Sequence, residues 1–205
     1  MNDTATLGQV ACPGVTVTDH VEGLVAIREA GVSAVVWRRP LPAGFEEWMA
    51  RLSPDRLPSA KLTLPAGEVA ASVTALCDES GMPDTTLRRW LIEDIAALSR
   101  RFAAITQVTR VRLRLDVVRS ITCPKFHVDA VPARMLCTYR GAGTQFAIVQ
   151  DGAAPGTIFD SPTGAPLLLR GKQWQDDTPT ALRHRSPSFN AGDPARLLLV
   201  LDPVG

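Results

Sequence analysis

The chain has no apolar run of about 18 residues, which excludes a membrane-spanning helix. It also lacks a long basic run. With 22 basic and 21 acidic residues the net charge is +1, so composition argues against nucleic acid as a partner, although basic residues cluster locally. Four cysteines (Cys12, Cys77, Cys123 and Cys137) are too few and too scattered for a disulfide framework. The opening Met1-Asn2-Asp3-Thr4 has neither the basic nor the apolar stretch of a secretory signal, so the expected setting is a reducing cytoplasm. A Gly-x-Ser-x-Gly elbow and a Walker loop are both missing. Gly141-Ala142-Gly143-Thr144 is a lone glycine turn with no helix after it, a poor phosphate cradle. There is no internal repeat and no low-complexity tract. A chain of 205 residues can bury one good core, so one domain over residues 1–205 is expected.

What is present changes character near residue 105. Before it, helical patterns dominate. Asp19 to Ala30 carries Val21, Leu24, Val25 and Ile27 and stops at Gly31. Gly44 to Leu52 places Phe45, Trp48, Met49 and Leu52 on one helical face, and Gly67 to Cys77 is a further helix. Asp84 to Phe102 is the clearest, with Leu87, Leu91, Ile95, Leu98 and Phe102 in register and Asp84 or Thr85 as N-cap. Val32 to Trp37 reads as a short buried strand ended by Pro40. After residue 105 the period becomes two, and Arg110 to Val117 alternates cleanly as a half-buried strand. Its arginines are expected to face solvent or a carboxylate. Further strands are expected at Arg134 to Tyr139, Gln145 to Val149, Pro166 to Leu169, Ala181 to Arg185 and Arg196 to Asp202. Turn chemistry separates them at Gly141-Ala142-Gly143, Asp151-Gly152, Ser161-Pro162-Thr163-Gly164 and Asn190-Ala191-Gly192-Asp193. The expected fold class is α+β: a jelly roll, or double-stranded β-helix, over residues 106–205 behind a mostly helical layer over residues 1–105.

Two of the three histidines stand where a non-haem metal site needs them. In an extended strand, residues i and i+2 share a face, so His127 and Asp129 can share one ligand. His184, from a distant strand, would complete a two-histidine, one-carboxylate triad that leaves positions open on Fe(II). The bland reading is that His127 and Asp129 merely bond a loop backbone. His20, beside Asp19 at a helix start, reads as a cap or surface residue. Cysteine widens the choice of metal. Cys123, four residues before His127, is an alternative ligand, and a thiolate with the two histidines would favour Zn(II). Cys12, Cys77 and Cys137 read as small core hydrophobes. Trp37, Trp48 and Trp90 read as core or interface anchors, whereas Trp174, in a polar loop, could wall a pocket.

The segments Cys123-Pro124-Lys125-Phe126-His127-Val128-Asp129 and His184-Arg185-Ser186-Pro187, with Trp37-Arg38-Arg39-Pro40 near the front, resemble the bacterial family known as domain of unknown function 1826. The His-x-Asp and distal His layout is also similar to that of cupin-type proteins, including Fe(II)- and 2-oxoglutarate-dependent oxygenases. That second resemblance implies His127, Asp129 and His184 as iron ligands. It also implies an arginine, on the strand after the distal histidine, that grips the far carboxylate of 2-oxoglutarate. Arg196 opens such a strand, and a guanidinium fork suits a carboxylate. Where those oxygenases often carry a hydroxyl residue two positions on, this chain has Leu198. Arg134, Tyr139 and Arg140 are further candidates for the carboxylate, but strand alternation prevents all three from serving one pocket without a bulge. The leading expectation is an oxygenase using Fe(II) and 2-oxoglutarate on an unidentified small-molecule or protein substrate. A zinc-binding protein of metal homeostasis is the alternative, and a metal-free cupin that binds a small acid is the third.

Overall fold

The computed structural model describes residues 4–5, 12–120, 122–150, 153–175, 180–190 and 192–205. Eleven strands form two sheets. The larger holds β2 (Val15–Thr18), β3 (Ala34–Trp37), β9 (Leu167–Arg170), β6 (Ala133–Arg140), β11 (Arg196–Val204), β5 (Arg110–Val118) and β4 (Ala60–Pro65), in that spatial order. The smaller holds β1 (Thr4–Ala5), β8 (Ile158–Asp160), β7 (Gln145–Ile148) and β10 (Leu182–Arg185). The two sheets close on each other as a jelly roll. Leu136, Leu167, Leu169 and Val200 of the large sheet pack with Phe146, Phe159 and Leu182 of the small one.

The opposite face of the large sheet carries the helices. These are α1 (Phe45–Arg51), α2 (Val69–Glu79) and α3 (Thr86–Thr106). Alternation along each strand divides the two cores. On β11, Leu197, Leu199 and Leu201 join the helical core, as do Val111, Leu113 and Leu115 of β5. Helix α3 presents Leu91, Ile95, Leu98 and Phe102 to them, all essentially inaccessible to solvent. It begins at the Thr85 N-cap, whose hydroxyl accepts a 3.1 Å hydrogen bond from the Arg88 amide.

A clamp ties α3 to the sheet. Arg39 pairs through both terminal nitrogens with the Asp94 carboxylate and donates from Nε to the Gly164 carbonyl at 2.8 Å. Its guanidinium also lies over Trp37 and Trp90, at 4.6 and 5.7 Å from the ring centres.

The front of the chain is less helical than its periodicity suggests. Residues Val15–Thr18, Ala34–Trp37 and Ala60–Pro65 are strands that extend the large sheet. Of these, only Ala34–Trp37, within the strand expected at Val32 to Trp37, is signalled by an unbroken apolar run. The stretch expected as a helix from Asp19 to Ala30 is instead 3-10 turn over Val21–Arg28. Gly23 packs against Thr18 so closely that an added Cβ would lie 2.2 Å from the Thr18 hydroxyl oxygen. His20 makes no side-chain cap there, and Asp19 instead holds Arg38 in a two-pronged contact at 3.1 Å. The expected turn at Asp151-Gly152 lies outside the described residues, as does Ala191 in the turn before β11. Among the described residues, no helix is long and apolar enough to cross a membrane.

Candidate metal centre

The two sequence motifs meet through backbone pairing. His127 and His184 exchange both backbone hydrogen bonds at 3.0 Å, and the Ser186 amide donates to the Cys123 carbonyl at 3.0 Å. His184 is on β10, opposite Phe146 of β7. The His-x-Asp segment therefore acts as an added rung on the small sheet, which brings the imidazoles to 4.5 Å between ring centres. Asp129 is set by a different contact. Its carbonyl accepts from the Lys172 amide at 2.9 Å, and an added Cβ on Gly171 would sit 1.9 Å from the Val131 carbonyl oxygen. Only glycine lets the end of β9 approach the loop this closely.

His127, Asp129 and His184 bring one donor atom each within 4.8 Å of one another. His127 Nε2 is 3.5 Å from Asp129 Oδ1, and His184 Nε2 is 3.1 Å from Asp129 Oδ2. His127 Nδ1 lies 2.9 Å from the Lys125 carbonyl, which can only accept. Nδ1 therefore carries a proton, which leaves Nε2, the nitrogen that faces the carboxylate, as the one to ligate a metal. Asp129 Oδ2 is buried and, apart from the ion-pair contact with His184, has no hydrogen-bond partner among the described residues. A buried carboxylate oxygen left facing imidazole nitrogens is costly unless a cation joins it. The donor set thus fits a divalent metal.

Arg134 holds the carboxylate in place. One terminal nitrogen bonds Asp129 Oδ1, while Nε and the other nitrogen grip Asp202 at 2.6 and 2.8 Å. Burial alone would raise the Asp129 carboxyl, but His184, Arg134 and His127 outweigh it and hold its pKa below the usual carboxylate range. Asp202, at the far end of β11, had no signal in the sequence beyond its place in an apolar strand. With both carboxylates engaged, Arg134 positions Asp129 and is not available to an acid ligand.

His127 and His184 open onto a pocket of about 420 Å³. Arg196 lines it and is almost fully buried. Among the described residues its one side-chain hydrogen bond is to the Thr138 hydroxyl at 3.3 Å, and its Nε has no partner. Burial without a carboxylate lowers its pKa to about 10. Thr138 is the residue opposite Leu198 across the β6–β11 ladder. The strand opposite position 198 thus supplies a hydroxyl to Arg196, a contact that a reading along one strand does not reveal.

Tyr139 and Arg140 are placed elsewhere. A bulge between Leu197 and Leu198 shifts the register so that Leu197 pairs with Arg140 and Leu198 with Thr138. Both side chains then turn to the helical face. The Tyr139 hydroxyl donates to Asp94 at 2.6 Å, and Arg140 donates to the Leu52 carbonyl at 2.9 Å. Cys123 is exposed and lines the pocket, but among the described residues no thiol joins the triad. Trp174 lines a second pocket, where the Arg170 guanidinium lies 5.0 Å from its ring centre.

A family model described as a protein of unknown function, DUF1826, matches residues 18–202. The chain belongs to this family. No curated protein matches it. Among solved structures, a dioxygenase for auxin oxidation from rice is similar, with 15% identity, a TM-score of 0.50 and coverage of 95% of this chain and 83% of that one. The 2-oxoglutarate complex of dioxygenase for auxin oxidation 1 from Arabidopsis thaliana gives 13% identity, a TM-score of 0.48 and coverage of 100% and 93%. A 2-oxoglutarate–Fe(II) oxygenase family oxidoreductase from Burkholderia pseudomallei gives 15%, 0.42, and 98% and 95%. At such identities the rice structure establishes a shared fold, and the DUF1826 chain is a jelly roll of that kind.

Proposed function

We propose that this DUF1826 protein is a non-haem Fe(II)- and 2-oxoglutarate-dependent oxygenase. One observation carries the reading. The buried, unpartnered Asp129 oxygen lies beside two imidazoles, and the pocket that those imidazoles line is also lined by the buried guanidinium of Arg196, which has no carboxylate partner among the described residues. A divalent metal satisfies the first, and a keto acid satisfies the second. The names of the similar structures belong to the same chemistry, although only the fold is common ground.

His127, Asp129 and His184 would hold the metal. Bound Fe(II) supplies open positions for a keto acid and dioxygen, and the one-electron chemistry that protein side chains lack. In the net reaction a substrate C–H becomes C–OH, while 2-oxoglutarate loses CO2 and becomes succinate. The two atoms of O2 divide between alcohol and succinate. The chain's own part is positioning. The Lys125 carbonyl fixes the His127 tautomer, and Arg134 keeps Asp129 ionised and oriented. Arg196, steadied by Thr138, would grip the far carboxylate of the keto acid with its charged fork. Leu136, Leu198 and Val200 line the same pocket and exclude water from the reacting centre.

The test is an anaerobic Fe(II) loading followed by titration with 2-oxoglutarate, read as a visible charge-transfer band beside a His127→Ala control. A saturable band absent from the control is the expected result. No band, with tight Zn(II) binding instead, would overturn the oxygenase and leave a zinc-binding protein.

A further inference from the structure

The pocket wall is strongly and unevenly charged. Its lining includes Arg114, Arg119, Arg134, Arg185 and Arg196 against one carboxylate, Asp116. Three of these guanidinium groups are already engaged. Arg134 is shared by Asp129 and Asp202, and Arg119 bonds Asp55. Arg185 donates to Gln145 Oε1 at 2.9 Å and lies over the Phe126 ring, 4.4 Å from its centre. Two remain underused. Arg196 is one, and under the oxygenase reading the keto acid takes it.

Arg114 is the other. It projects from β5 on the pocket face, in register with Val200 of β11 and one strand away from it. Its side chain is 30% exposed, but its Nε is buried and has no hydrogen-bond partner among the described residues. The nearest carboxylate, Asp116 two residues along the same strand, stays at 3.8 Å, too long for a hydrogen bond. A buried guanidinium nitrogen without an acceptor carries an uncompensated desolvation cost, and a fork geometry selects a planar anion to relieve it. Between Arg114 and the triad the pocket floor is apolar, formed by Val200, Leu198 and Leu136. An occupant matching both features has an acidic end and a short hydrocarbon body. At about 420 Å³ the pocket lies in the usual range for small ligands.

We infer that the substrate is itself a small organic acid with an apolar body, and that Arg114 takes its carboxylate. The substrate class rests on the oxygenase reading; the acid site at Arg114 does not.

Calorimetry on the Fe(II)-loaded protein under nitrogen, with saturating 2-oxoglutarate to occupy Arg196, tests it. The probes are butanoate, hexanoate, octanoate and phenylacetate, each beside its neutral amide. At least one acid should bind about tenfold or more tightly than its amide, the effect of one charge-assisted hydrogen bond. Arg114→Gln should erase that preference while 2-oxoglutarate affinity stays within about twofold. If no acid outbinds its amide, or if Arg114→Gln retains the preference, the inference fails. A large loss of 2-oxoglutarate affinity in Arg114→Gln also overturns it, since Arg114 would then serve the keto acid. Should Arg114→Gln not fold, Arg114→Met, which keeps the apolar stem, takes its place and the same outcomes apply. Failure of the oxygenase reading shows separately, as no charge-transfer band. The acid-over-amide preference is then measured on metal-free Arg196→Leu protein, where its presence supports the acid site at Arg114 and its absence overturns it.

Discussion

Asp129 carries more of the site than either histidine, because it is the one residue touched by both imidazoles and by Arg134. Asp129→Ala should therefore abolish Fe(II) binding in a metal titration, whereas Cys123→Ser should leave it within about twofold. The reverse pattern would identify a thiolate zinc site. Arg196→Leu removes the one buried guanidinium there that holds no carboxylate. It should weaken 2-oxoglutarate by about tenfold to a hundredfold without altering metal affinity, as expected for one charge-assisted contact. Retained affinity would place the keto acid on another residue. Arg134→Ala belongs to a different class. It strips two carboxylates of their shared partner, so the measured loss should appear in thermal stability as well as in metal binding.

At the level of elements, the β6 bulge decides which side chains see the pocket. Without it, Arg140 would alternate to the same face as Thr138, and the pocket would gain a further cation. With it, Tyr139 and Arg140 both serve the helix layer, and α3 is fastened through Asp94 to Arg39 and Tyr139. Asp94 and Arg39 are each about nine-tenths buried as side chains. Asp94→Ala, which leaves Arg39 without its counter-ion, should lower unfolding free energy by about 3–5 kcal/mol in a denaturant melt. Thr85→Ala, which deletes only the α3 cap, should cost about 1 kcal/mol in the same assay. If the two losses proved equal, the buried clamp would have no special weight.

For the molecule as a whole, folding gates the thiols. Cys12, Cys77 and Cys137 are buried, and burial pushes Cys77 up to about 11 and Cys137 up to about 12. A raised thiol pKa leaves the unreactive protonated form dominant at pH 8. One thiol, that of exposed Cys123, should therefore react rapidly with a disulfide reagent in native protein, and four after unfolding. Rapid reaction of a second thiol in the native state would place part of the core open to solvent. Zn(II) loading that protected Cys123 would restore it as a ligand.

Composition and period alone determined a good part of this protein. The apolar spacing of α3, the alternation of β5 and the apolar runs of β6, β9 and β11 are local signals, because side-chain direction repeats every 3.6 or two residues whatever the rest of the chain does. The His-x-Asp pair and the scarcity of histidine marked the site for the same reason. Strands β2, β4 and β8 were not legible. They are short, or polar on one face, and are strands because a neighbouring strand supplies their hydrogen bonds. Tertiary pairing also decided the chemistry around the triad. Asp202 reaches Arg134 across a ladder, and Thr138, opposite Leu198, supplies the hydroxyl that Arg196 bonds. A bulge sends Tyr139 away, and Arg114 lines the cavity with its Nε lacking an acceptor among the described residues. Each depends on register between strands distant in sequence, and register is a property of the folded sheet that no single segment carries.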